Sequence, residues 1–183
     1  MSLVRTRRFS VAEYEQLGKL GILGEHERVE LIRGEIVQKM TIGELHAATV
    51  KRINRLFHRL LGEQVLVSVQ DPVRLADSEP EPDVALLKPR EDFYATGLPT
   101  GADVLLVVEV ADSSLEYDRQ EKGPLYAEAG IPEFWLVNLV EARLEVHRRP
   151  QGGRYLDCFH RQRGEVVDLV GVPNVVVQVD EFI

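Results

Sequence analysis

The stretch Asp103-Val104-Leu105-Leu106-Val107-Val108-Glu109-Val110 is nearly continuous in valine and leucine. Such a run is expected of a central strand covered on both faces. A charged, partly helical segment follows from Leu115 to Gly130, and Phe134 to Leu139 is a second strongly apolar strand. Upstream, Asp83 to Leu87 reads as a strand after the rigid run Glu79-Pro80-Glu81-Pro82. Val65 to Val69 and Val73 to Leu75 read as further strands, and Lys88 to Gly101, with its Pro and Gly breakers, as a loop. Ser10 and Glu13 form a capping-box pattern ahead of a short helix stopped by Gly18 and Gly21. Arg28 to Met40 alternates around Arg33-Gly34, as in a β-hairpin. Glu44 to Leu61 is the clearest helix, with Gly62 as its stop. Ala142 to His147, Tyr155 to His160, Val166 to Leu169 and Val175 to Val179 add strands at the C-terminal end. The order predicts an α+β or mixed α/β domain around one central sheet.

The bulk properties set wide bounds. A chain of 183 residues fits one domain and can bury a core without staples. Hydrophobic residues at 44% and charged residues at 28% are those of an ordinary soluble protein. Cys158 is the lone cysteine, so no internal disulfide forms, and no Cys/His cluster suggests zinc. The run Val104 to Val108 is far too short to span a bilayer. Arg5, Arg7 and Arg8 are not followed by an apolar segment, so a reduced cytoplasm is the expected compartment. The net charge of −8 argues against binding nucleic acid by bulk attraction. It leaves room for a local basic face and for an acidic site that meets phosphate through metal.

Asp83 opens one apolar strand and Glu109 lies near the end of another. A carboxylate inside such a run is costly to bury unless paired or bound to metal. Two neighbouring carboxylates repel, and a divalent cation relieves the repulsion. Mg²⁺ takes oxygen ligands and is commonly held by one or two carboxylates. Lys122 could position or deprotonate a metal-bound water, or stabilise charge on a phosphate. Asp118, Lys122 and Tyr126, at steps of four, share one face of a regular helix, with Asp118 as the partner of Lys122. The structural alternative is a pair of acids satisfied by arginine or backbone amides, and a solvated Asp118–Lys122 pair worth about 0.3–0.5 kcal/mol. Gly123-Pro124 offers a different local geometry: a helix starting at Pro124, with Lys122 on the turn before it.

A set of motifs in fixed order carries a resemblance. It comprises Glu30 in Val29-Glu30-Leu31-Ile32-Arg33-Gly34-Glu35, His46, Pro82-Asp83-Val84 and Val108-Glu109-Val110, then Asp118, Lys122, Tyr126, Gly130, Ile131, Glu133, Phe134 and Trp135. From about Phe9 to Val146 the chain resembles the restriction endonuclease-like family of the PD-(D/E)XK nuclease superfamily, a former domain of unknown function abundant in cyanobacteria. The resemblance implies a restriction-endonuclease-like mixed sheet flanked by helices in a single domain, with residues 147–183 as a C-terminal β elaboration. It implies Mg²⁺-dependent phosphodiester hydrolysis, with Mn²⁺ as a substitute. Asp83 matches the metal-binding aspartate and Glu109 the second acid, with the Val110 backbone carbonyl as a further ligand. The superfamily lysine stands two residues after the second acid. Here that residue is Ala111, and Lys122 matches a lysine moved to the next helix. Glu30 matches an additional N-terminal acid.

His46 lies on the apolar stripe of its helix, either as a satisfied core histidine or beside the site. Lys51, Arg52, Arg55 and Arg59 form a basic face, either solvated or in contact with nucleic-acid backbone. Arg143, His147, Arg148, Arg149 and Arg154 form a second cluster with the same two readings, and Trp135 reads as core. Three functions remain open. The first is a nuclease acting on DNA, the second an inactive nucleic-acid-binding or dimer-forming module, and the third a metal-dependent hydrolase of small phosphoesters. A homodimer is expected from the apolar C-terminal strands and the superfamily.

Overall fold

The computed structural model describes residues 6–24 and 26–183, so Arg5 lies outside the described residues. The chain folds as helix α1 (Val11–Lys19), hairpin β1 (Val29–Ile32) and β2 (Glu35–Gln38), then helix α2 (Glu44–Leu61). Strands β3 (Leu66–Ser68), β4 (Val84–Leu87) and β5 (Val104–Ala111) follow. A helical crossover of α3 (Leu115–Tyr117), a π turn (Asp118–Lys122) and α4 (Gly123–Glu128) leads to β6 (Glu133–Asn138). Strands β7 (Arg143–Gln151), β8 (Arg154–Arg161), β9 (Val166–Asp168) and β10 (Val176–Gln178) complete it.

Six strands form one sheet in the order β3-β4-β5-β6-β7-β8. Strands β5 and β6 are parallel, and every other neighbouring pair is antiparallel. The sheet is therefore mixed, and the helical crossover that joins its parallel pair lies beside the site. Side chains alternate across it with period two. Val84, Leu86, Val108 and Val110 face α2 through Ile53, Leu56 and Phe57. Ala85, Leu87, Val107 and Ala111 face the crossover through Leu125 and Tyr126. The C-terminal β9–β10 segment closes the α2 side, where Phe182 stacks on Trp135 at 6.2 Å. Strand β7 runs through position 146, so the segment from 147 continues the central sheet before forming its own hairpin.

The capping box at Ser10 and the bounds of α2 fall where the sequence places them. The strand expected at Val73–Leu75 does not form; only one isolated bridge, Arg74 to Thr100, is present there. Val73 N–H bonds to Pro80 and Leu75 N–H to Ser78, in a hairpin-like turn. Pro72, Pro80 and Pro82 supply no N–H and cannot extend a ladder. Of the two geometries open for the crossover, the start at Pro124 does not occur: helical structure begins at Leu115 and runs on through the proline. The π turn, with Gly123 N–H bonded to the Asp118 carbonyl, replaces the regular turn into which Pro124 would collide. Among the described residues no helix is long and apolar enough to cross a membrane.

Candidate active site

Antiparallel pairing of Val84 with Val108 sets Asp83 next to Glu109. Because both lie one step from that pair, both point to the face that carries the crossover. The Asp83 N–H lies 3.4 Å from Glu109 Oε2. The crossover delivers Lys122 to the same point: its Nζ is 3.1 Å from Glu109 Oε1 and 3.2 Å from Glu30 Oε1. Glu30 comes from β1, and its Oε2 accepts from the Glu81 N–H at 3.2 Å. Tyr126, one turn beyond Lys122, donates its hydroxyl to Glu109 Oε1 at 2.6 Å. Ala111 points to the same face as Glu109 and is fully buried, so the lysine reaches the acid from the helix above rather than from the strand.

Asp83 is held by three donors. Oδ2 accepts from the Val110 N–H at 2.9 Å and lies 2.9 Å from His46 Nε2, and Oδ1 accepts from Gln70 Nε2 at 3.1 Å. Burial presses its pKa upward, but His46, Val110 and Gln70 together hold it below the usual carboxylate range. Glu109 is pushed the other way: burial raises it and Asp83 adds to the rise, with Lys122 opposing. Burial also raises Asp118, against the pull of Lys122 and Ser114. Burial presses the Lys122 pKa down, yet Glu109, Glu30 and Asp118 outweigh it and hold the amine charged, with its pKa above the ordinary value. Tyr126 is raised by burial and by Glu109, so its hydroxyl stays a donor.

Glu30, His46, Asp83, Glu109, Val110, Asp118 and Lys122 line one cavity of about 340 Å³. Tyr126 is wholly buried behind it. His46 is thus beside the site and not in the core. Asp118 shares the cavity but does not partner Lys122: it accepts from Ser114 Oγ at 2.6 Å, while Lys122 pairs with Glu30 and Glu109. Lys51, Arg52, Arg55 and Arg59 are exposed on the outer side of α2, away from the cavity. Arg52, Arg55 and Arg59 border a separate dent of about 200 Å³, where Arg59 pairs with Glu181. The second basic cluster is mostly neutralised: Arg148 pairs with Glu133 and Asp168, Arg149 with Asp157, and Arg143 with Glu141 and Glu145. His147 stacks on Phe134. Sequence reasoning missed Gln70, Lys39 and Tyr117. Lys39 reaches the cavity rim through Glu81 at 2.8 Å, and no periodicity or motif marks any of the three.

Among the described residues, no group of three or more His, Cys, Asp or Glu side chains stands arranged to hold a metal ion. The ammonium of Lys122 occupies the space between Glu30 and Glu109. The oxygen donors nonetheless fit a hard divalent cation: two adjacent carboxylates and a third beside them, with Val110 also on the cavity wall, which suits an ion that keeps several waters.

The fold is similar to that of "a putative nuclease belonging to DUF820 from Anabaena variabilis ATCC 29413", with a TM-score of 0.70 and 16% identity over 91% of this chain and 96% of that one. At that identity the likeness concerns the fold. No curated protein matches. The model of the Uma2 family, described as "Putative restriction endonuclease", matches residues 11–180. With nearly the whole chain matched, from α1 to the last turn, this protein belongs to the Uma2 family.

Proposed function

We propose that the chain is a divalent-metal-dependent nuclease that hydrolyses phosphodiester bonds in DNA, with Mg²⁺ as its metal and Mn²⁺ as a substitute. The observation that carries this reading is the meeting of Lys122 with Glu30 and Glu109 within 3.2 Å, beside Asp83, in a single cavity. Asp83, Glu109 and the Val110 carbonyl are the proposed metal ligands. When bound, such an ion lowers the pKa of a coordinated water toward neutrality and offsets charge on the phosphate. Lys122, held as an ammonium, is a donor to negative charge developing on the phosphate and not a proton acceptor. Glu30 keeps that ammonium in place, Tyr126 fixes one oxygen of Glu109, and His46 fixes one oxygen of Asp83. Asp118 adds negative charge that holds Lys122 protonated.

The exposed Lys51, Arg52, Arg55 and Arg59 are the proposed contacts to the DNA backbone. The working form we propose is a cytoplasmic homodimer, supported by the exposed Val166, Val170 and Val176 of the C-terminal segment. The test is nicking of plasmid DNA with Mg²⁺ or Mn²⁺ by the parent, Asp83→Ala and Lys122→Ala. Both variants should lose activity; equal cutting by all three removes the reading. A non-catalytic DNA-binding role has one observation in its favour, since the Lys122 ammonium sits between Glu30 and Glu109, where a cation would otherwise offset their charge. Calorimetric titration with Mn²⁺ separates the two: no uptake with DNA binding retained selects the non-catalytic role.

A further inference from the structure

Gln70 occupies a backbone conformation that does not suit it. Its φ is +57°, in the left-handed region where glycine is free of strain and a side chain is not. Such positions persist where the surrounding structure enforces them, and they gather at functional sites. Here the Gln70 N–H bonds to the Pro82 carbonyl at 3.1 Å, which ties the turn after β3 to the segment that ends in Asp83. From that position the Gln70 side-chain amide reaches Asp83 Oδ1 at 3.1 Å.

An ionised carboxylate has about four lone-pair sites, two on each oxygen, and accepts only. Asp83 Oδ2 meets two partners, the Val110 N–H at 2.9 Å and His46 Nε2 at 2.9 Å, which must therefore carry its proton. Both of its sites are filled. Oδ1 has one partner, Gln70, and one site left.

We propose that Gln70 is a positioning residue: it orients the Asp83 carboxylate so that the remaining lone pair of Oδ1 is the one offered to a divalent cation. The left-handed turn at residue 70 is kept because it brings the amide to that oxygen. The inference rests on the metal-dependent reading above, and adds to it which atom binds and what aims it. Removing a donor that orients a metal-binding carboxylate in this way commonly costs about 10- to 100-fold in metal affinity.

Gln70→Gly separates positioning from plain structure, because it removes the amide while relieving the backbone. Gln70→Leu removes the amide and keeps both bulk and strain. Both variants lose the amide, so for the metal-free proteins the melting temperature of Gln70→Gly should equal or exceed that of Gln70→Leu, because only glycine relieves the backbone. Mn²⁺ affinity by calorimetry should fall about 10- to 100-fold in both variants, and the paramagnetic resonance signal of bound Mn²⁺ should change shape. Mn²⁺ binding within twofold of the parent in both variants would overturn the proposal while leaving the metal site standing. A melting temperature of metal-free Gln70→Gly below that of Gln70→Leu would overturn it too, since residue 70 would then carry no backbone strain for the contact to hold. If the parent itself takes up no Mn²⁺, the metal reading and this inference fall together.

Discussion

Glu145 shows how a few contacts decide the charge of a buried acid. Burial alone would raise its pKa, but Arg119 Nε at 2.9 Å, Asn138 Nδ2 at 3.2 Å and Arg143 Nη2 at 3.3 Å bring it from 4.5 to about 2. A carboxylate held below its unfolded value stabilises the fold above that value and stops doing so as the proton returns. The contribution is thus present above pH 4.5 and lost as pH falls from there toward 2. Glu145→Gln should cost about 1.5–3 kcal/mol at pH 7. It should also flatten the acid limb of stability, as read by urea unfolding at pH 7, 4 and 3. An unchanged acid limb would mean that Glu145 is not the group responsible. At the same scale, Asp83 and Glu109 stood out in the sequence because a charge in or beside a Val/Leu run demands a partner, whereas Lys122 stood out only through its steps of four with Asp118 and Tyr126 and through the family resemblance. Gln70 was not, since a glutamine next to Asp71-Pro72 looks like any loop residue until its φ and its contact with Asp83 are known.

At the scale of elements, the β1–β2 hairpin is what holds Glu30 against Lys122. Its turn has positive φ at both Arg33 and Gly34, the pattern that suits the twist of a two-residue hairpin. Gly34 is also pressed against the N-terminal segment: an added Cβ would lie 2.7 Å from Arg8 Cβ and 2.8 Å from the Phe9 carbonyl. Gly34→Ala should therefore cost about 1–3 kcal/mol through strain and clash. It should also lower nicking activity, because Glu30 moves with its hairpin. Unchanged stability in a denaturant titration would show that the turn adapts at no cost. The hairpin and α2 were readable from alternation, periodicity and stop signals. The π turn was not: Gly123-Pro124 signalled a break, and only packing of the crossover on β6 shows that the helix widens instead. Asp118 changed roles for the same reason, bonding Ser114 while Lys122 turned to acids from two other elements.

At the scale of the molecule, a chain of net charge −8 meets a polyanion through a local surface or not at all. The outer side of α2 is the surface we propose for that contact, and Glu181 already engages part of it through Arg59. Replacing Arg52, Arg55 and Arg59 together by alanine should weaken DNA binding alike on all sequences. It should also reduce the slope of log K against log salt by up to about 3, as measured by fluorescence anisotropy at several salt concentrations. A slope equal to that of the parent would place the DNA elsewhere. The whole-molecule architecture was legible because long apolar runs and one amphipathic helix leave few ways to cover a sheet.

By itself the sequence determined the central sheet, its main helix, and the residue types that the site would need, since these follow from hydrophobic period and from the cost of burying charge. Only the tertiary structure decided which groups meet. Strand register placed Asp83 beside Glu109, the widened crossover carried Lys122 to the acid that Ala111 cannot serve, and a left-handed turn brought Gln70 to Asp83. Those contacts join residues 13 to 26 positions apart, and the Glu30–Lys122 pair joins residues 92 apart, separations that local periodicity does not reach.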